Sequence, residues 1–202
     1  MLEIVISSRN KEKKRELKSL LKGLKIKVLD LNDFPSAPRV EENGKTFEEN
    51  AAVKALTVAR FTKRLALADD SGLEVEVLGG RPGVYSARFA GKNAAYEANN
   101  RKLLRLLKGF PKPKRKARFV CVIAIADKNK LVGLVRGECV GRITFEPKGK
   151  NGFGYDPIFF SPKHSRTFAQ LSSKEKNSVS HRGRALKKAK VLIQGCLQKA
   201  LS

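Results

Sequence analysis

The sequence is poor in the residues on which several common classes of protein depend. Its 202 residues include no tryptophan, two histidines and three cysteines. The odd number and irregular spacing of Cys121, Cys139 and Cys196 argue against a disulfide framework and a zinc site, and two histidines cannot build a histidine-based metal centre. We therefore expect buried thiols in a reducing compartment, which is the cytoplasm.

Long apolar runs are missing as well. No run approaches the roughly 18–20 residues of a membrane-spanning helix, and Met1–Ser7 has the pattern of a short strand that leads into a motif, not of a signal peptide. We expect no membrane partner. The hydrophobic fraction of 41% nevertheless excludes wholesale disorder.

Acidic residues are scarce, because 43 lysines and arginines stand against 19 aspartates and glutamates, which gives a net charge of +24. Such a charge attracts polyanions, including nucleic acid and phosphorylated small molecules. The densest basic runs, Lys11–Arg15 and Lys112–Arg118, lack the interleaved aromatic residues of a surface that stacks single strands. We interpret them as solvated faces and expect no specific nucleic-acid partner.

What the sequence contains is an alternation of strand and helix patterns. Because a hairpin around "DKNK" interrupts this alternation, the predicted fold is α/β with a mixed sheet. The predicted strands are Leu2–Ser7, Ile26–Leu29, Leu65–Ala68, Leu73–Leu78, Arg118–Ala126 and Lys130–Arg136, the last continued by 137–144. The predicted helices are Lys11–Leu21, the capping-box segment "TFEENAAVKALTVARF", Asn93–Lys108 and Ser180–Ala200.

The first candidate site is "SSRNKEK", where a strand ends and a helix begins. Unpaired N–H groups at a helix N-terminus attract anions, and Lys13 can add a point charge for phosphate. Ser8 and Asn10 can either bind a ligand or cap the helix. A plain helix cap with a basic face explains this segment at least as well.

The second candidate is the acidic pair Asp69–Asp70, between two predicted strands. Adjacent acids at the end of a strand are a turn signal. They are also suitable ligands for Mg²⁺, which binds one or two carboxylates, keeps several waters and bridges to phosphates. Glu41 and Glu42, in a loop before the capping-box helix, are by themselves ordinary solvated glutamates.

Two later segments are candidates for nucleotide contacts. In "GFGYDP" the glycines allow close approach of the backbone to a ligand, and Phe153 and Tyr155 offer flat faces for a base. An ordinary aromatic turn is the alternative. In "SSKEKNSVSHRGRAL" the residues Lys176, His181 and Arg182 precede a helix, and a solvated basic cap is the alternative there.

Taken together and in this order, the segments resemble the noncanonical purine nucleoside triphosphate pyrophosphatases, also called the HAM1-like family. The similarity spans Ile4 to about Lys190, which is nearly the whole chain. It is carried by "SSRNKEK", "TFEENAAVKA", "ADDSGLEVEVLGGRPGVYSARFAG", "FGYDPIF" and "EKNSVSHRGRAL", of which the last three are specific.

The resemblance implies a reaction and a role for individual residues. The reaction is the hydrolysis of ITP, dITP and XTP to the monophosphate and pyrophosphate. Asp70 would be the catalytic carboxylate that activates water and binds Mg²⁺, supported by Asp69 and by Glu41 or Glu42. The implied substrate contacts are Ser8, Arg9, Asn10, Lys11, Glu12, Lys13, Ser71, Phe153, Gly154, Tyr155, Asp156, Lys176, His181 and Arg182.

The fold that the resemblance implies is an elongated mixed β-sheet flanked by helices, in two lobes with a central active-site cleft, and usually a homodimer. We accordingly expect residues 1–202 to form a single α/β domain of two lobes. Two other interpretations remain. A basic nucleic-acid-binding domain would bind polynucleotide and release no pyrophosphate. A house-cleaning pyrophosphatase would act on modified pyrimidine nucleotides instead of purine nucleotides. The purine-type "SHR" segment argues against this second interpretation.

Overall fold

The computed structural model of the protein describes residues 1–199. Within that range the chain forms seven β-strands and five α-helices, joined by loops and short 3-10 turns. The strands are β1 (Leu2–Ile6), β2 (Ile26–Asp30), β3 (Leu65–Val75), β4 (Lys116–Ala126), β5 (Leu131–Ile143), β6 (Phe159–Ser161) and β7 (Arg166–Thr167). The helices are α1 (Lys11–Leu21), α2 (Phe47–Thr62), α3 (Tyr96–Leu106), α4 (Ser173–Val179) and α5 (His181–Lys199).

The strands of the described chain lie in one sheet, in the order β2-β1-β3-β4-β5-β6-β7. Strand β1 pairs in parallel with β2 and with β3, so that Leu2 lies opposite Ile26 and Ile4 lies opposite Leu65. The pairs β5–β6 and β6–β7 are antiparallel. Both kinds of pairing are present, which confirms the predicted α/β fold with a mixed sheet.

Contacts divide the chain into two compact units. Unit 1 comprises Met1–Asp70, Cys121–Gly137 and the chain from Arg182 onward, and unit 2 comprises Ser71–Val120 and Glu138–His181. Each unit has its own hydrophobic core. The expectation of a single two-lobed domain over residues 1–202 stays a prediction, and residues 200–202 lie outside the described part of the chain.

The core of unit 1 packs α1 and α5 against one face of the sheet. Leu17 of α1 and Leu186 of α5 are buried together with Ile4, Leu67 and Ile123 of the strands. Because successive side chains of a strand point to opposite faces, the odd-numbered residues among 65–69 of β3 face α1 and α5. Asp70 lies on the opposite face, toward α2.

The core of unit 2 is built around three phenylalanine rings. The ring centroids of Phe119 and Phe159 are 4.5 Å apart, and those of Phe159 and Phe168 are 4.9 Å apart, in tilted arrangements that aromatic pairs favour. Leu103 and Leu107 belong to the same cluster. This core fixes the loop that leads from β5 to β6 and the segment that precedes α5.

Some element boundaries differ from those predicted. The acidic pair does not follow the end of a strand, because β3 continues through it from Leu65 to Val75. The strand can continue there since cations of neighbouring helices neutralise both carboxylates. The C-terminal helix begins at His181, after a separate helix α4 that the pattern did not predict, and its predicted end at Ala200 lies outside the described residues. From Met1 to Lys199, no helix combines the length and the apolar character needed to span a membrane.

Candidate functional site

Asp70 lies in a group of four side chains on the α2 side of β3. Lys54 Nζ donates to Asp70 Oδ1 at 2.9 Å, to Glu42 Oε1 at 3.0 Å and to the backbone carbonyl of Asp69 at 2.8 Å. Asn50, one helical turn before Lys54, donates from Nδ2 to Asp70 Oδ2 at 3.3 Å. We call Asp70, Lys54, Glu42 and Asn50 the Asp70 cluster.

Burial and charge act on the Asp70 cluster in opposite directions. Loss of hydration raises the pKa of Asp70, although Lys54 and Lys13 oppose the shift. Burial disfavours the charge on Lys54 too, but the carboxylates of Asp70, Glu42 and Asp69 outweigh it and raise the pKa of the ammonium. Asp70 therefore has a fixed position and a higher proton affinity than an exposed aspartate, which suits a general base.

Asp69 faces the opposite side of β3 and has other partners. Its Oδ2 accepts from Arg182 Nη2 at 3.1 Å and from Nε at 3.3 Å, and it lies 3.3 Å from Lys13 Nζ. Arg182 Nη1 donates to Glu16 Oε2 at 2.5 Å. Lys13 and Glu16 belong to α1, and Arg182 to the first turn of α5. We call the four residues, with alternating charges, the Asp69 chain.

The middle of the Asp69 chain is inaccessible to solvent. Arg182 is 1% exposed and Asp69 is 2% exposed. Burial opposes the charge on Arg182, but Asp69 and Glu16 outweigh it and raise the pKa of the guanidinium. Cys121 Sγ lies 3.9 Å from Asp69 Oδ2, and burial together with this carboxylate raises the pKa of the thiol to about 12. Cys121 is therefore an unreactive buried thiol.

The predicted phosphate segment, 8–13, connects β1 to α1. Asn10 is the N-cap of α1, because its side-chain carbonyl accepts from the backbone N–H groups of Glu12 and Lys13, each at 3.0 Å. Ser8 Oγ accepts from the backbone N–H of Asn10 at 3.3 Å. The helix cap that the sequence left open as an alternative is thus present, and it presents Lys13 on the first turn.

The remaining members of this segment have contacts of their own. Arg9 donates to the backbone carbonyl of Ala37 at 2.9 Å. Glu12 pairs with Arg15 at 2.5 Å on the exposed side of α1. Lys11, the first residue of the helix, is exposed.

The four carboxylates predicted as metal ligands lie in three places. Asp70 and Glu42 lie 2.9 and 3.0 Å from the same Lys54 nitrogen, Asp69 faces the other side of the sheet, and Glu41 accepts from an asparagine of its own loop. Among residues 1–199, no three His, Cys, Asp or Glu side chains are grouped so as to hold a metal. Two carboxylates with water and phosphate oxygens are nevertheless a usual Mg²⁺ environment, which Asp70 and Glu42 fit.

In unit 2, Lys176 lies between a carboxylate and an aromatic ring. Its Nζ donates to Asp156 Oδ2 at 2.6 Å and lies 4.8 Å from the centroid of the Phe153 ring. The same carboxylate oxygen accepts from the backbone N–H of Phe153 at 2.8 Å. We call Phe153, Asp156 and Lys176 the Lys176 cluster. A Cβ at Gly152 would lie 2.0 Å from Asp156 Oδ2, so this loop needs glycine there.

Tyr155 does not offer an open face to a base. It is 5% exposed and belongs to the core of unit 2. Its hydroxyl donates to the backbone carbonyl of Ser86 at 2.9 Å, and burial raises its pKa. Tyr155 therefore anchors the loop that carries Phe153 and Asp156 of the Lys176 cluster.

Three further predicted contacts also lie in unit 2. The ring of His181 stacks on Phe119, with centroids 4.6 Å apart and planes inclined by 13°. The backbone carbonyl of Gly154 accepts from Asn100 Nδ2 at 3.0 Å. Ser71 follows the acidic pair on β3 and is partly exposed.

Three residues that hold the candidate carboxylates in place are not among the contacts predicted from the sequence. Asn50 and Lys54 occur in the quoted segment "TFEENAAVKA", four residues apart, and therefore on one face of the predicted helix. That face also carries buried alanines. Two polar residues among apolar ones on one helix face indicate buried polar contacts. Glu16 gave no comparable signal, because an acidic residue on a basic helix has the pattern of a solvated ion pair.

Comparisons with known proteins extend over most of the chain. The family model described as the Ham1 family matches residues 4–192. A protein of Desulforamulus reducens named dITP/XTP pyrophosphatase is 53% identical over 192 residues, which are 95% of this chain and 96% of the relative. A protein of the same name from Shouchella clausii is 50% identical over 195 residues, 96% and 98% of the two chains.

Solved structures with the same fold include a HAM1 protein from Coxiella burnetii, with a TM-score of 0.87 and 45% identity over 96% of this chain and 100% of that one. The Ham1 protein of Staphylococcus aureus has a TM-score of 0.84 and 41% identity, over 96% and 98% of the two chains. The chain belongs to the Ham1 family.

Proposed function

We propose that this protein hydrolyses noncanonical purine nucleoside triphosphates, namely ITP, dITP and XTP, to the monophosphate and pyrophosphate. It would thereby remove them from the nucleotide pool. The observation that carries the proposal is the 53% identity, over nearly the whole of both chains, to a relative named dITP/XTP pyrophosphatase. We assign residues to each chemical task of this reaction.

We assign the activation of water to Asp70. Its carboxylate, held by Lys54 and Asn50, takes a proton from water while the water oxygen forms a bond to the α-phosphorus. The bond from the α-phosphorus to the oxygen that bridges to the β-phosphate breaks, and pyrophosphate leaves with the electron pair. The raised pKa of Asp70 favours the proton transfer. Charge and positioning supply the rest of the catalysis.

We assign Mg²⁺ to Asp70 and Glu42. A bound ion neutralises phosphate oxygens and lowers the pKa of coordinated water. Lys54 keeps the two carboxylates close together, since its ammonium offsets their mutual repulsion. Of the predicted carboxylates we leave out Asp69, which faces the other side of β3, and Glu41, which bonds within its own loop.

We assign contacts with the triphosphate to the segment 8–13 with Lys13, and contacts with the base to Phe153 and His181. Hypoxanthine and xanthine carry a 6-oxo group that accepts a hydrogen bond, where adenine carries an amine. A donor such as His181 or a loop N–H group suits the oxo group and leaves an amine unpaired, which discriminates between them.

The other predicted contacts differ in burial. Those that are at least partly exposed complete the proposed substrate contacts and are Ser8, Arg9, Asn10, Lys11, Glu12, Ser71 and Gly154. Those that are buried and support them are Tyr155, Asp156, Lys176 and Arg182.

We also propose that the protein is a cytoplasmic homodimer without a specific nucleic-acid partner. Three large apolar side chains of unit 2, Tyr85, Val140 and Phe145, are 57%, 67% and 65% exposed and could contribute to an interface. Sedimentation equilibrium at micromolar concentration tests the dimer, and a monomeric mass would contradict it. Binding to DNA that persists at physiological salt would contradict the proposal that the protein has no specific nucleic-acid partner.

A panel of nucleoside triphosphates assayed with Mg²⁺ tests the proposed reaction. We expect pyrophosphate and monophosphate from dITP, ITP and XTP, and much slower turnover of ATP, GTP and pyrimidine nucleotides. Release of single phosphates in steps would contradict the proposal. Preference for a modified pyrimidine would support the house-cleaning alternative instead.

A further inference from the structure

The two adjacent carboxylates of β3 serve opposite faces of the sheet. Asp70 faces α2, whereas Asp69 faces α1 and α5, because side chains alternate along a strand. Asp69 Oδ2 lies 3.3 Å from Lys13 Nζ and 3.1 Å from Arg182 Nη2. Two cations therefore hold this carboxylate on the side of β3 that faces away from Asp70.

The two middle residues of the Asp69 chain are buried, and the two residues at its ends are partly exposed. The side chains of Asp69 and Arg182 are 0% and 2% exposed, whereas those of Lys13 and Glu16 are 17% and 13% exposed. Lys13 lies in the first turn of α1, where the partial positive charge of the helix favours anions. Holding this long side chain in advance removes part of the entropy that an anion would otherwise have to overcome.

We propose that Asp69 is a positioning residue for the phosphate-binding end of α1. Glu16 holds Arg182, Arg182 fixes the Asp69 carboxylate, and Asp69 keeps the Lys13 ammonium at the first helical turn, where it meets the phosphates. This inference rests on the proposed function, because that function identifies the bound anion as the triphosphate of the substrate. Asp69 takes no part in metal binding or bond cleavage.

The substitution Asp69→Asn separates this role from two simpler ones, because it keeps the shape and removes one negative charge. A metal ligand would show itself by a higher Mg²⁺ requirement. A carboxylate that only neutralises Lys13 would weaken the attraction for an anion, so its loss would tighten triphosphate binding. If Asp69 positions Lys13, Asp69→Asn should bind triphosphate more weakly, although the substitution makes the site more positive.

The direct test is binding of inorganic tripolyphosphate to the full-length protein by calorimetry, in EDTA so that no metal contributes. We expect Asp69→Asn and Lys13→Ala each to weaken binding by about tenfold, and the double variant to be little weaker than either, since both remove the same placed ammonium. Tighter binding by Asp69→Asn, or independent losses that multiply in the double variant, would overturn the proposal.

Glu16→Gln keeps the test decisive if Asp69→Asn fails to fold. It leaves the contacts of Asp69 with Lys13 in place but loosens Arg182, so we expect a weaker loss in the same direction, about threefold. Asp30→Asn is the matched control. Asp30 is also buried and also pairs with a lysine of α1, Lys14 at 3.1 Å, and its loss should leave tripolyphosphate affinity unchanged.

Turnover provides an independent readout. In Asp69→Asn we expect KM for dITP to rise by about tenfold, with a smaller change in kcat and the same Mg²⁺ concentration for half-maximal rate. A raised Mg²⁺ requirement with an unchanged KM would overturn the positioning role. If the wild-type protein released no pyrophosphate from dITP or XTP, the proposed function would fail, and tripolyphosphate binding would still decide the role of Asp69.

Discussion

Replacement of Lys54 by methionine should destabilise the protein and make its stability depend on Mg²⁺. Lys54 Nζ is the common partner of Asp70 Oδ1 at 2.9 Å and Glu42 Oε1 at 3.0 Å. Methionine preserves most of the side-chain volume and removes the charge. Two carboxylates then face each other without the cation between them, and the one on Asp70 is only 7% exposed.

The magnitude follows from the burial of the pair. Breaking a buried ion pair by removing one partner costs about 3–5 kcal/mol. We expect the lower end, about 3 kcal/mol, because Asn50 still donates to Asp70 and because Glu42 is 38% exposed and can turn to water. For a chain of this length, that corresponds to a fall in Tm of about 6–12 °C.

Urea denaturation of wild type and Lys54→Met, in EDTA and in millimolar Mg²⁺, measures the effect. Mg²⁺ should restore part of the loss, since Asp70 and Glu42 can bind it together. The loss should also shrink at acidic pH, because burial already raises the pKa of Asp70 and protonation removes its unpaired charge.

Lys14→Met is the matched control for this substitution. It removes another buried ammonium of unit 1, but Asp30 keeps Lys18 at 2.7 Å, so the loss should be smaller and insensitive to Mg²⁺. The reasoning about the Asp70 cluster would be refuted if Lys54→Met were as stable as wild type in EDTA. It would also be refuted if Mg²⁺ stabilised both methionine variants equally.

Three further predictions concern activity, pH and the loop of unit 2. Asp70→Asn should keep the fold, as judged by circular dichroism, and lower kcat by roughly 10²–10⁴, and near-normal turnover would contradict its assignment. Burial opposes the ionisation of Asp30, but Lys18, a backbone N–H and Lys14 lower its pKa from 3.8 to about 2. Asp30 therefore stabilises the protein fully above about pH 4, and this stabilisation is lost as the pH falls toward 2. The free energy of unfolding of wild type should exceed that of Asp30→Asn by on the order of 2 kcal/mol above pH 4. Denaturation at a series of acidic pH values should show this difference becoming smaller. Gly152→Ala should lower Tm more than Gly79→Ala. Both glycines have positive φ, but of the two only Gly152 would place its new Cβ against a described atom, Asp156 Oδ2 at 2.0 Å. Equal losses of Tm would show that backbone strain, and not this contact, decides the effect at Gly152.

Local sequence patterns were sufficient for much of the fold. The helix α1 has the predicted bounds, and Thr46 caps α2 by accepting from the backbone N–H of Glu49. The Glu49 carboxylate accepts from the N–H of Lys45, one residue before the predicted partner. The mixed sheet followed from strand and helix alternation broken by the hairpin. These features depend on near neighbours in the chain, so their patterns are visible without tertiary information.

The candidate site divides in the same way. The sequence by itself determined which segments are candidates for the site, since charged residues after strands and glycine-rich aromatic loops are local signals. It left open whether Asp69 and Asp70 form a turn or bind Mg²⁺, however, and it gave no role to Lys54. Only the tertiary structure decided where each side chain lies: β3 continues through the pair, the pleat sends the two side chains to opposite faces, and each carboxylate meets a cation of a different helix.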